Sequence, residues 1–205
     1  MLPPLTRHHW IFDLDGTLTI AVHDFPAMRR RLGIPGHVDI IDWIDTRGAA
    51  EAARLHRALD AIEHEYASLA RAAEGMPELL AALETAGCRL GLLTRNTREV
   101  AGQVLRRLGV DRHFAEEALF GRHEAPPKPR PDGISRLLQH WQAEAGDTVM
   151  VGDHLHDLLS GRAAGTATVL ISPGDPPPDW RIHIDCHFGS PGQLLAGWLA
   201  AHPPT

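Results

Sequence analysis

The sequence predicts an α/β fold in which a parallel sheet carries helices on both faces and a helical insertion follows the first strand. Three observations predict it. Short runs at about residues 9–13, 88–94, 147–152 and 168–172 are apolar almost throughout, as strands buried on both faces are. Helical segments alternate with these runs, and strand–helix–strand alternation builds a parallel sheet. Residues 20–75 carry no strand signal. A chain of 205 residues suits one such domain, or a core with a small insertion.

The elements follow in order. The first strand, 9–13, runs into Asp13-Leu14-Asp15-Gly16-Thr17. The clearest helical stretch beyond it is 47–73, where Leu55, Leu59, Ile62, Tyr66 and Leu69 are spaced four, three, four and three apart. That is a narrow apolar stripe, suited to a helical hairpin or small bundle. Gly75 ends it, and Pro77 opens a helix through Thr85 that stops at Gly87. After the strand at 88–94, Asn96 is expected to cap a helix running to Leu108, with Gly109 behind it. Residues 118–120 suit a short strand. Pro131-Asp132 begins a helix to about 142, followed by the strand at 147–152, a helix at 155–164 and the strand at 168–172. Prolines stiffen 173–178, and Ser190-Pro191 starts a terminal helix. The expected division is a core of 1–19 and 76–205 with an insertion of 20–75.

Composition narrows the class. A net charge of −6 with no long basic run argues against nucleic acid and anionic membranes as partners. No apolar run reaches transmembrane length, and the N-terminal residues lack a signal-peptide core. Cys88 and Cys186 have no metal-ligand or disulfide spacing, so a reduced, cytoplasmic protein is expected. All 20 Lys and Arg residues but Lys128 are Arg. General Arg usage is the plain explanation. Yet this lysine sits among four prolines in Glu124–Pro131, and an ammonium is a compact charge where a guanidinium is a planar fork.

In parallel sheets of this kind ligands bind beyond the carboxyl ends of the strands. That rule gathers scattered residues onto one rim: Asp13 and Asp15; Thr94 with Arg95 and Asn96; Lys128; Asp153 and Asp157. Strand alternation puts Asp13 and Asp15 on one side, and two such charges need a cation or a proton between them. Gly16 lets the backbone turn tightly beside a ligand. A solvated acidic turn is the plain alternative for the bare Asp-Leu-Asp pattern. Several carboxylates together recruit a hard cation such as Mg²⁺. Thr94, the N–H groups near Asn96, and Lys128 suit an anion. Cation, anion cradle and aspartate nucleophile together point to phosphoryl transfer through an aspartyl-phosphate, with Asp15 moving protons.

Asp13-Leu14-Asp15-Gly16-Thr17, Leu93-Thr94-Arg95-Asn96, Lys128 and Gly152-Asp153-His154-Leu155-His156-Asp157, in that order, resemble the four motifs of the haloacid dehalogenase-like hydrolase superfamily. The resemblance implies a Rossmann-like core and a phosphatase using Mg²⁺. Under it Asp13 is the nucleophile and a metal ligand, and Asp15 the general acid/base with its backbone carbonyl on the metal. Thr94 binds the phosphoryl group, helped by the Arg95 and Asn96 N–H groups. Lys128 neutralises phosphoryl charge and Asp13. Asp153 ligates Mg²⁺, and Asp157 holds a metal-bound water or orients Lys128. The insertion resembles the helical cap of phosphoglycolate phosphatase-like members, though it is short for that type. His23, Asp24, Arg47 and His64 are candidate cap or hinge contacts, though each fits an ordinary surface residue better.

The implied partner is a small phosphorylated metabolite, the implied assembly a monomer or a weak homodimer. Within the superfamily, dehalogenases lack the second acid that Asp15 supplies, and phosphonatases need a cap lysine where this chain has none. A sugar-phosphate mutase keeps the same motifs and stays open. A receiver-type signalling domain carries its phosphoacceptor on a later strand, and a non-catalytic phospholigand binder does not need all four motifs intact. His154 and His156 read as half-exposed loop residues, since an oxygen-rich site favours Mg²⁺ over a transition metal. The Arg29-Arg30-Arg31 run reads as a solvated helix face that could steer anions.

Overall fold

The computed structural model, which describes residues 3–203, places six strands in one sheet. They are β1 (His9–Phe12), β2 (Arg89–Leu93), β3 (Leu119–Phe120), β4 (Thr148–Gly152), β5 (Ala167–Ile171) and β6 (Cys186–Phe188). Their order is β3-β2-β1-β4-β5-β6, and every neighbouring pair is parallel. Apolar side chains on both sides of each central strand explain the layering. On β1, Trp10 and Phe12 pack on one face with Leu90, Leu92, Val149 and Val151, under α4 (Met76–Thr85), α5 (Arg98–Leu108) and α8 (Pro191–Ala201). Ile11 packs on the other face with Met150 and with Ile134, Leu137 and Trp141 of α6 (Asp132–Trp141). Helix α7 (Leu155–Ala164) follows β4.

Register levels the strand ends. Phe12 lies opposite Leu92 on one side and Val151 on the other, so the chain leaves β1, β2 and β4 at nearly the same height. Sequence neighbours run off in both directions from β1, which makes the gap beside it the switch point where such sheets bind ligands.

Between β1 and β2 lie α1 (Phe25–Leu32), α2 (Ile40–Asp45) and α3 (Ala49–Ala67). They bury a cluster of their own, including Met28, Ile41, Ile44, Leu55, Leu59 and Ile62. Asp24 and Asp39 start the first two helices by accepting from the Ala27 and Asp42 N–H groups. The chain enters and leaves this segment side by side. Thr19 bridges Ala72 antiparallel, Ile20 N–H donates to the Arg71 carbonyl, and Ala73 N–H donates to that of Leu18.

Four sequence expectations change. Leu69 lies past the end of α3 and is 60% exposed, so the packed stripe ends near Tyr66. Thr97, not Asn96, caps α5, its Oγ1 accepting from Val100 N–H; Asn96 is occupied elsewhere. His154 and His156 are not loop residues: His154 caps α7 and His156 lies in its first turn. Strand β6 was unanticipated because three residues at a sheet edge are too few to show a period. No described helix is long and apolar enough to cross a membrane.

Candidate active site

The rim beyond β1, β2 and β4 brings together every residue the motifs singled out. Asp13 directly follows β1 and donates its N–H to the Val151 carbonyl at 2.9 Å, which fixes it beside β4. A tight turn over 14–18 follows, with Gly16 at φ +80°. A Cβ there would lie 2.1 Å from Asp153 Oδ2, so glycine is what lets the two acidic loops touch. Gly152 plays the same part below: its Cβ would meet the Asp157 carboxyl at about 2.2 Å.

Lys128 is buried at the centre. Its Nζ lies 2.6 Å from Asp13 Oδ1 and 2.6 Å from Asp157 Oδ1. Asp157 Oδ2 accepts from the His154 backbone N–H at 3.0 Å, closing a capping box at the start of α7. Asn96 Nδ2 donates to Asp15 Oδ2 at 2.6 Å, and His23 Nδ1 stands 3.7 Å from Asp15 Oδ1. Thr94 is buried at the end of β2, and its Oγ1 accepts from Asn96 N–H. Arg95 reaches outward: Nη2 donates to Asp39 Oδ1 and Nη1 to His156 Nδ1, both at 2.7 Å. Burial and the Arg95 guanidinium push His156 down to about 4, so it is neutral and accepts that bond.

The electrostatics are those of crowded anions. Burial raises Asp13 well above the carboxylate range against the pull of Lys128, with Asp157 and Asp153 adding to it. Burial, then Asp157, pushes Asp153 up to about 7. Burial also raises Asp15 despite His23 and Asn96. Burial disfavours the Lys128 ammonium, but Asp13 and Asp157 outweigh it and hold the group charged. Asp13, Asp153 and Asp157 each offer an oxygen within 4.8 Å of the others, three carboxylates to one ammonium. That all-oxygen set fits a hard divalent cation, which would relieve the repulsion a single lysine leaves.

These groups open into a cavity of about 310 Å³ whose far wall comes from the 20–75 segment, with His23, Phe25, Met28, Ile40, Ile41 and Leu59 on it. A wider groove of about 770 Å³ between α3 and α5 holds none of the rim residues. Of the four candidate cap residues, His23 alone lines the site cavity, stacked on Phe25 and tilted against Tyr66. Asp24 caps α1, Arg47 lies over the Trp43 ring, and His64 bonds Gln103.

A buried cluster beside the site, whose Glu63 helps line the cavity, escaped the sequence reading. Arg122 Nη1 donates to both carboxylate oxygens of Glu63 and to the Arg95 carbonyl, and Nη2 pairs with Asp60. Glu63 sits four residues after Leu59 on the buried side of α3, where a carboxylate was the available signal.

Comparison with known proteins identifies the family. The family described as haloacid dehalogenase-like hydrolase matches residues 29–171. The chain is 31% identical to an N-acetylmuramic acid 6-phosphate phosphatase of Pseudomonas aeruginosa, across 85% of this chain and 88% of that one. It is 28% identical to pyrophosphatase PpaX of Anoxybacillus flavithermus, across 79% of this chain and 82% of that one. Among solved structures, a hydrolase from Pseudomonas syringae matches with a TM-score of 0.80 at 21% identity, covering 97% of this chain and 100% of that one.

Proposed function

The chain belongs to the haloacid dehalogenase-like hydrolase family, and we propose that it is a phosphatase that hydrolyses a small phosphomonoester with Mg²⁺ through an aspartyl-phosphate on Asp13. Named phosphatases among its relatives support the reaction class. The observation that carries the rest is Lys128 held 2.6 Å from both Asp13 and Asp157, at the strand ends that also present Asp15 and Thr94.

Each residue then has a task. Lys128 holds Asp13 Oδ1, leaving Oδ2 to attack phosphorus as the bond to the leaving oxygen breaks. Asp15 gives its proton to that oxygen, with Asn96 holding its Oδ2 and so aiming the carboxyl. It then takes a proton from water, whose oxygen attacks the aspartyl-phosphate, freeing phosphate and restoring Asp13. Thr94 and the Arg95 and Asn96 backbone would face the phosphoryl oxygens; the Asn96 N–H, now on Thr94 Oγ1, would have to share itself. Asp13, Asp153, Asp157 and the Asp15 backbone carbonyl would hold Mg²⁺, which when bound offsets phosphoryl charge and lowers the cost of bringing a phosphate to Asp13. Residues 20–75 serve as a cap that excludes water, and the core comprises 1–19 and 76–205.

Asp13→Asn is expected to abolish phosphate release from phosphomonoesters by the purified protein supplied with Mg²⁺. Near-normal turnover by that variant would sink the assignment. Isomerisation that requires a bisphosphate, with little phosphate released, would instead identify a mutase.

A further inference from the structure

We propose that Arg122 is a positioning residue for the hydrolysis: it grips the chain on both sides of Asn96 and so aims the side-chain amide that holds the acid Asp15. The inference rests on the phosphatase reading above and adds to it a residue outside the four motifs. Arg122 lies in the loop after β3, and its side chain is only 2% exposed. A buried arginine is rare unless it is paired. Two carboxylates of α3 supply the pairing: Nη1 donates to both Glu63 oxygens at 2.9 Å, and Nη2 pairs with Asp60. The same Nη1 also donates to the Arg95 carbonyl at 3.0 Å. That third contact reaches the loop that carries Thr94, Arg95 and Asn96.

Two peptide planes flank Asn96, and residue 122 holds both. The Arg95 carbonyl shares a rigid plane with the Asn96 N–H, so the guanidinium fixes the plane before the Asn96 Cα. The Asn96 carbonyl accepts from the Arg122 backbone N–H at 2.9 Å, which fixes the plane after it. With both planes held, φ and ψ at Asn96 are set, and with them the direction in which its side chain leaves the backbone. That side chain ends on Asp15, Nδ2 to Oδ2 at 2.6 Å. The two loops touch closely, since a Cβ on Gly121 would lie 2.6 Å from the Asn96 carbonyl oxygen. Without the guanidinium the first plane can turn and Asn96 can swing. Asp15 then loses its aim at the moment it must meet the leaving oxygen.

A nitrophenolate departs without a proton, whereas an alkoxide needs one, so a misaimed acid harms alkyl esters selectively. The test follows kcat/KM, which reports formation of the aspartyl-phosphate, for p-nitrophenyl phosphate and n-propyl phosphate with Mg²⁺ supplied. Arg122→Gln should lower it for the propyl ester about tenfold or more beyond any loss for the nitrophenyl ester. Asn96→Ala should show the same selective loss. The double variant should lose no more selectivity than Asn96→Ala alone, because both changes act through one side chain. Arg122→Lys, whose ammonium can still meet Glu63 and the Arg95 carbonyl, should recover part of it. Should Arg122→Gln fail to fold, Arg122→Met combined with Glu63→Met takes its place, since it removes both buried charges together. Equal losses for the two esters, or additive losses of selectivity in the double variant, overturn the inference and leave Arg122 a structural tie. Inactivity of the wild type toward both esters overturns the phosphatase reading itself, and this inference with it.

Discussion

Lys128, the one lysine in a chain that otherwise uses arginine, is buried with its Nζ between two carboxylate oxygens at 2.6 Å each, a place for a compact cation at the edge of the site cavity. A guanidinium cannot converge on that point without pushing Asp13 or Asp157 aside. Lys128→Arg is therefore expected to lower kcat by about a hundredfold or more, the scale seen when a charge-stabilising donor is removed from an active site. Full activity would make the lone lysine an accident of composition. Gly16→Ala tests the neighbouring contact. Its φ of +80° and the 2.1 Å approach to Asp153 predict a loss of roughly 1–3 kcal/mol in chemical denaturation. Displacing Asp153 should also weaken Mg²⁺ binding in a calorimetric titration. Asn96 was less legible. Its place after Thr94 suggested a cap, but which way a loop side chain points is set by tertiary packing, and here it turns to Asp15.

Among the elements, strands and helices were legible wherever a period or a stop signal was long enough, and illegible where it was not, as β6 illustrates. The link between α3 and the loop after β3 lay beyond sequence reading for another reason: Glu63 and Arg122 are 59 residues apart. Burial pushes Glu63 up to about 7 in spite of Arg122. In the unfolded chain it titrates near 4.5. Between those values the folded protein keeps a proton that the unfolded chain has lost, so stability falls as pH rises through the window, by up to about 3 kcal/mol. Urea midpoints measured from pH 5 to 7 should therefore decline more steeply for the wild type than for Glu63→Gln. Equal slopes would mean that Glu63 is ionised throughout, held by Arg122.

At the scale of the whole molecule, the two packed bodies and the seam between them matter most. The core buries its side chains on the two faces of the sheet, whereas α1–α3 bury a separate cluster around Ile44 and Leu59. What joins them is the paired chain at 18–20 and 71–73, the end of α3, where Ala67 and then Ala70 pack into the core's own cluster, and polar ties: Arg95 to Asp39, Arg122 to Glu63, and His64 to Gln103. The site cavity lies in that seam, so substrate can reach Asp13 if the helical body moves as a unit. The part-exposed ties exchange with water more readily than an apolar core does, and apart from the buried Arg122–Glu63 pair little else resists, so the helical body should open without unfolding the sheet. Amides of α1–α3 are then expected to exchange with solvent faster than those of β1 and β4. Ile44→Ala, which removes a fully buried side chain from the helical cluster, should cost that cluster about 2–5 kcal/mol. It should speed exchange in α1–α3 while leaving β1 and β4 as protected as before. Equal loss of protection in both bodies would show instead that they open as one cooperative unit, and that substrate must reach Asp13 without the helices lifting away.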